Sequence, residues 1–91
     1  MAMTAVWLNI DEESFVQALQ EAEKKLAVGD GEVTLDFSAV HRIDASGLRA
    51  LEEFVSLADE KGVKVKMSGV SVRVYKVLKL MKLTSRFSFL N

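Results

Sequence analysis

The sequence predicts a single small α/β domain over residues 4–91, with a mostly parallel or mixed four-stranded sheet and about three helices on one face. Segments with a period of two alternate along the chain with segments of helical period, which is the order of an α/β fold. The strand segments alternate, and one face of the Val63 to Met67 segment is polar, whereas strands covered on both faces are almost continuously apolar. Ninety-one residues supply one hydrophobic core and no more.

The first third of the chain predicts a strand, a helix and a second strand. Thr4 to Ile10 alternates, with its aliphatic residues on one side. Asp11 is a helix-capping residue, and the residues after it place an apolar stripe on one face: Phe15, Val16, Leu19, Ala22 and Leu26. Gly29-Asp30-Gly31 has the composition of a turn, and Glu32 to Phe37 alternates as the second strand.

The stretch Asp44-Ala45-Ser46-Gly47-Leu48 lies where the second strand gives way to a long amphipathic helix. Asp44 is a good N-cap residue, which places Ser46 in the first turn with its hydroxyl exposed. The core stripe of this helix consists of Leu48, Leu51, Phe54, Val55 and Ala58. A phosphate on Ser46 meets the positive end of the helix dipole, so it should leave the helix intact and act on a partner's surface instead.

The last third predicts a strand, a helix and a short final segment. Val63 to Met67 alternates strictly, with Lys64 and Lys66 facing away from the helices. Ser71 is the expected cap of a third helix, with Val72 and Tyr75 beside its core stripe of Val74, Val77, Leu78 and Met81. Phe87 to Leu90 forms either a last strand or a packed tail.

The charges are distributed unevenly along the chain. All thirteen acidic residues lie at or before Glu60, and eight basic residues follow without an acid among them. Such asymmetry fits a nucleic acid, an anionic lipid surface or an acidic protein, and the interpretation as solvated faces is favoured over all three. The chain has no cysteine and no apolar run of about 20 residues, so we expect no membrane span and a cytoplasmic location.

The residue types of catalysis are present without their usual spacing. Asp36, Ser38, His41, Asp44 and Ser46 contain the groups of a serine hydrolase, but no G-x-S-x-G elbow surrounds either serine. A single histidine and no cysteine leave only carboxylates for a metal, and no calcium-loop motif occurs. We therefore expect neither an enzyme nor a metal site nor a cofactor.

The stretch from Val33 to Val40, followed by Arg42 to Leu48, resembles the signature of the STAS domain family, which includes the anti-sigma factor antagonists. The similarity continues to about residue 87. The resemblance implies a non-enzymatic regulatory module in which Ser46 is phosphorylated by a partner that is both kinase and anti-sigma factor. The unphosphorylated form would bind that partner and free a sigma factor. Asp44 and Asp36 match the family's acidic positions.

The resemblance also implies a partner-binding surface around that serine. Its expected members are Asp36, Ser38, His41, Arg42, Asp44, Ala45, Ser46, Gly47 and Arg49.

A second branch of the family stays open. The chain has no room for the additional N-terminal hairpin and C-terminal helix of the antagonists, and this resembles the shorter STAS subunits that bind the ATPase of phospholipid ABC transporters. That branch carries a threonine directly after the aspartate, where this chain has Ala45. In both branches the expected partner is a protein and not a specific nucleic acid. The genes that flank this one would distinguish the two.

Overall fold

The computed structural model describes residues 4–26 and 31–90 of the chain. Gly29 and Asp30 of the predicted turn lie outside these residues. The elements, in chain order, are β1 (Thr4–Asn9), α1 (Phe15–Leu26), β2 (Gly31–Asp36), α2 (Ala45–Lys61), β3 (Val63–Ser68), α3 (Val72–Leu80), a 3₁₀ turn (Thr84–Arg86) and β4 (Ser88–Leu90). The short C-terminal run is therefore a strand and not a packed tail.

All four strands are parallel and lie in the order β1-β2-β3-β4. The in-register row Leu8, Leu35, Met67 and Phe89 crosses the whole sheet. Each connection between neighbouring strands carries one helix, and right-handed crossovers place such helices on the same side of the sheet. Of the two arrangements that the sequence allowed, the described strands form the fully parallel one.

The two faces of the sheet differ as the strand alternation predicts. Val63, Val65 and Met67 are buried, whereas Lys64 is exposed and Lys66 is partly exposed. On the open face the Lys66 ammonium lies 3.1 Å from a carboxylate oxygen of Glu32 on the neighbouring strand. The prediction of helices on one face is therefore confirmed.

The core lies between the sheet and the helices. Its largest fully buried side chains are Ile10, Leu19, Leu26, Leu35, Phe37, Val40, Leu51, Phe54, Val55, Met67, Val74 and Leu78. Helices α1 and α2 pack against each other. The ring of Phe15, the first residue of α1, meets the ring of Phe37, which directly follows β2, edge to face with centroids 5.5 Å apart. Such pairs add stability beyond the apolar area that they bury.

The ends of α2 are fixed by local chemistry. Asp44 has extended backbone angles and its carboxylate accepts a hydrogen bond from the Gly47 amide, which satisfies one of the free donors of the first turn. At the other end Gly62 adopts φ 70° and donates to the carbonyls of Ala58 and Asp59. Both boundaries are those that the sequence predicts.

Two predicted helix details are wrong. Helix α1 begins at Phe15 and not directly after Asp11, whose carboxylate instead accepts a hydrogen bond from the Glu13 amide in the loop (3.3 Å). Met81, predicted in the core stripe of α3, is 44% exposed because the helix ends at Leu80. Lys82 then takes φ 60°, and Leu83 enters the core in place of Met81.

No helix among residues 4–26 and 31–90 has the length and apolarity needed to cross a membrane.

Candidate functional site

The loops that follow β1 and β2 meet at the carboxyl edge of the sheet because the strands are parallel. The Ile10 amide donates to the Asp36 carbonyl at 2.9 Å, and the Phe37 amide donates to the Ser68 carbonyl at 2.8 Å. The chain between Phe37 and Asp44 is therefore held from both sides where it leaves the sheet. This is also the edge at which open α/β sheets place their binding residues.

Ser46 lies on the first turn of α2, and its side chain is exposed. The hydrogen bond from the Gly47 amide to the Asp44 carboxylate (2.8 Å) fixes the backbone on both sides of it. Among the described residues, no side-chain hydrogen bond engages the Ser46 hydroxyl. The backbone at Ser46 is thus held in place, and its side chain is exposed at the surface.

Gly47 allows α2 to begin close to α1. A Cβ at this position would lie 2.8 Å from Cγ2 of Ile43 and 3.1 Å from the ring of Phe15. Gly47 is a predicted member of the partner-binding surface, but it is buried. Its contribution to the site is the close approach of the two helices, which a larger residue would prevent.

Glu12 is a member of the site that sequence reasoning missed. One of its carboxylate oxygens accepts hydrogen bonds from the backbone amides of His41 (2.5 Å) and Arg42 (3.2 Å). These hydrogen bonds hold the pKa of Glu12 below its ordinary value, and the bond from the His41 amide has the largest effect. Desolvation of the carboxylate opposes the shift. His41 thus donates this hydrogen bond to Glu12 through its backbone amide and not through its imidazole. Glu12 thereby fixes the loop that precedes Ser46.

Asp36 organises a second cluster at the same edge. Its carboxylate accepts hydrogen bonds from the hydroxyl and the amide of Ser38, and from the indole of Trp7 at 3.3 Å. The hydroxyl bond, followed by the amide bond, lowers the pKa of Asp36. Gly69 has φ +69°, and a Cβ there would lie 2.9 Å from the Ser38 hydroxyl, so the loop after β3 closes over this cluster.

A groove of about 430 Å³ brings part of the predicted surface together. The residues that line it are Glu12, Glu13, Ser14, Phe15, Val16, Gln17, Arg42, Ile43, Asp44 and Ser46. The lining combines the apolar side chains of Phe15, Val16 and Ile43 with three carboxylates and one guanidinium. Ala45 and Arg49 are exposed on α2 outside this groove, and Asp36 and Ser38 do not line it. The α1 side of the groove was not predicted, since only the fold brings it to Ser46.

The described residues contain no group of three histidine, cysteine or carboxylate side chains that could hold a metal ion. The described residues do bring together a capped helix N-terminus, an exposed serine side chain and an adjacent groove with polar and apolar lining residues.

The chain is a small α/β domain in which the start of the second helix, including Ser46, is exposed at the carboxyl edge of the sheet. The family model of the STAS domain matches residues 8–91, which is nearly the whole chain. The chain therefore belongs to the STAS domain family. The comparison with curated proteins finds no significant match.

Solved structures agree with the fold. A sulfate transporter family protein from Wolinella succinogenes has a TM-score of 0.80 at 22% identity, with 98% of this chain and 80% of that chain covered. A candidate anti-sigma factor antagonist from Thermotoga maritima has a TM-score of 0.73 at 21% identity, covering 98% and 75%. The NMR structure of the same Thermotoga protein gives 0.76 at 20% identity, covering 94% and 74%. At these identities the likeness concerns the fold.

Proposed function

We propose that this STAS domain is a non-catalytic protein-binding module of the anti-sigma factor antagonist type, switched by phosphorylation of Ser46. The observation that carries the proposal is the exposed Ser46 on a first turn whose backbone is fixed by the Asp44 cap. The partner is a protein that acts as both serine kinase and anti-sigma factor, and a switch that consumes ATP places the module in the cytoplasm. The docking surface consists of Ser46, the groove beside it and the exposed side of the first turns of α2.

The charges around Ser46 support a switch that weakens binding. Glu12, Glu13 and Asp44 line the groove with it, against the single guanidinium of Arg42. A phosphoserine adds about 1.5 to 2 negative charges and three acceptor oxygens. The helix N-terminus tolerates that charge, so the fold survives, whereas a partner shaped for the hydroxyl has to bury an uncompensated phosphate.

The experiment compares Ser46→Asp, Ser46→Glu and Ser46→Ala by titration calorimetry against the kinase-like protein encoded by a flanking gene. We expect the acidic variants to lose at least about a hundredfold in affinity with a nearly unchanged melting temperature. Ser46→Ala should still bind but accept no phosphate from ATP by mass spectrometry. Ser56→Asp is the matched control, because Ser56 is exposed on the same helix about 2.8 turns further on.

Two results would contradict the switch: no phosphate on Ser46 after incubation with the kinase and ATP, together with wild-type affinity of the acidic variants. Constitutive docking on the ATPase of a phospholipid ABC transporter would then be the better proposal. Equal losses from Ser46→Asp and Ser56→Asp would place the docking surface elsewhere on α2.

A further inference from the structure

Helix α3 exposes an unusual number of apolar side chains. Of the six large hydrophobic side chains that are exposed among the described residues, four lie on α3 or directly after it: Val72, Tyr75, Leu80 and Met81. Val72 is 72% exposed and Leu80 is 81% exposed, while Val74 and Leu78 on the opposite side of the helix are fully buried. The core therefore uses one side of α3 and leaves an apolar surface on the other.

Cations alternate with these apolar side chains. Arg73, Lys76, Lys79 and Lys82 are all exposed, and no acidic residue occurs in the chain after Glu60. Asp59 pairs with Arg86 in the 3₁₀ turn, and among the described residues no ion pair involves Arg73, Lys76, Lys79 or Lys82. The outer side of α3 with its exit, residues 72–82, is thus both apolar and positively charged; we call it the α3 face.

We propose that the α3 face binds an anionic membrane surface, with the lysines and the arginine at the lipid phosphates and the exposed aliphatic side chains inserted among the headgroups. Interfacial helices combine these two side-chain types, with apolar groups buried about 5–10 Å into the boundary and cations extended along it. This surface is separate from Ser46 and its groove, so the proposal goes beyond the proposed function.

Other partners fit the α3 face less well. The buried centres of protein interfaces are depleted in lysine, whereas Lys76 and Lys79 stand between Val72 and Leu80 on this helix. The grooves on α1 and α2 contain no residue of α3. The α3 face therefore presents projecting side chains, and none of these grooves is available there to receive side chains of a protein partner. Binding of single-stranded nucleic acid combines cations with aromatic stacking, and the ring of Tyr75 on α3 already packs on Phe89, with centroids 5.3 Å apart.

The test is co-sedimentation of the intact chain with vesicles of phosphatidylcholine alone and of phosphatidylcholine mixed with phosphatidylglycerol. We expect binding only to the anionic vesicles, and loss of that binding near 1 M salt, where the screening length falls to about 3 Å. The double variant Lys76→Glu and Lys79→Glu should lower the partition coefficient at least about twentyfold. Leu80→Ser, which keeps every charge, should lower it about threefold because the inserted group is lost.

The matched control is Lys24→Glu with Lys25→Glu, which makes the same charge change at two exposed lysines of α1. It should bind anionic vesicles nearly as wild type does. Circular dichroism melting of every variant checks the fold. Absence of binding to anionic vesicles would overturn the proposal, as would equal losses in the two double variants. An acidic protein becomes the partner if polyglutamate competes with the vesicles and Leu80→Ser binds as wild type does.

Discussion

The inner face of the sheet and its carboxyl edge are stabilised by different interactions. Among the described residues, the inner face consists of buried and partly buried apolar side chains and carries no charged group. At the edge, the carboxylates of Glu12, Asp36 and Asp44 accept hydrogen bonds from backbone amides of loops and of a helix start. Burial fixes where the elements lie, and these carboxylates fix the loop conformation around Ser46. Changes inside should therefore cost global stability, and changes at the edge should mainly loosen loops.

The largest effect should come from Leu51→Ala, because Leu51 is fully buried on the core side of α2. Lost burial and the remaining cavity should reduce the free energy of unfolding by about 2 to 5 kcal/mol. Urea denaturation measures this free energy of unfolding. Leu80→Ala is the matched control, since Leu80 is 81% exposed. The control should change stability by less than about 0.5 kcal/mol. Similar losses in both variants would show that Leu51 contributes no more to stability than an exposed leucine.

Gly47→Ala should have an intermediate effect, because Gly47 lies where the core meets the edge. The new methyl group would come within 2.8 Å of Ile43, a β-branched and therefore stiff side chain, and within 3.1 Å of Phe15. Overpacking costs about 1 to 3 kcal/mol, and the better helix propensity of alanine returns up to about 1 kcal/mol. We expect a net loss of about 1 kcal/mol in urea denaturation.

A double-mutant cycle with Phe15→Leu identifies the cause of that loss. A smaller side chain at position 15 leaves room for the methyl group, so Gly47→Ala should cost less in the Phe15→Leu background than in the wild type. If the two changes are simply additive, the contact between α1 and the start of α2 does not require glycine. Stabilisation by Gly47→Ala alone would lead to the same conclusion.

The inner face could be predicted from the sequence almost completely, because side-chain periodicity directly encodes which residues face a core. Val63, Val65 and Met67 show this in β3, and Leu51 and Val55 show it in α2. The error at Met81 has a specific cause. The apolar spacing continues past Leu80, but the backbone turns at Lys82 without the glycine that usually marks such an ending.

The edge could be predicted only where its interactions are local. The cap from Asp44 to Gly47 spans three residues, so the residue types reveal it. Glu12 contacts amides that lie 29 and 30 residues away, and nothing in its local sequence distinguishes it from a solvated helix-start acid. Its role follows from the adjacency of β1 and β2 at the carboxyl edge, which is a property of the topology.

The smallest effect concerns pH and Glu12. Its pKa is lowered in the folded state by the amides of His41 and Arg42, so the folded protein binds this proton less readily than the unfolded chain does. The stabilising contribution is therefore complete above the unfolded pKa of Glu12 and is lost as the pH falls through the lowered folded value. Because the carboxylate is at the surface, solvent screens the effect, and the change should be mainly local.

Amide hydrogen exchange in the folded state provides the measurement for Glu12. In the wild type, protection of the His41 and Arg42 amides, after correction for intrinsic exchange rates, should decrease as the pH falls into the range where Glu12 is protonated. Glu12→Gln keeps an acceptor oxygen but cannot titrate. In this variant the His41 and Arg42 amides should be less protected than in the wild type at neutral pH, and their protection should not change through this acid transition. Glu13→Gln is the matched control, because the neighbouring exposed glutamate shows no bond to this loop among the described residues. If wild type and Glu12→Gln lose protection at the same pH, the loop before Ser46 is held by packing and not by this carboxylate.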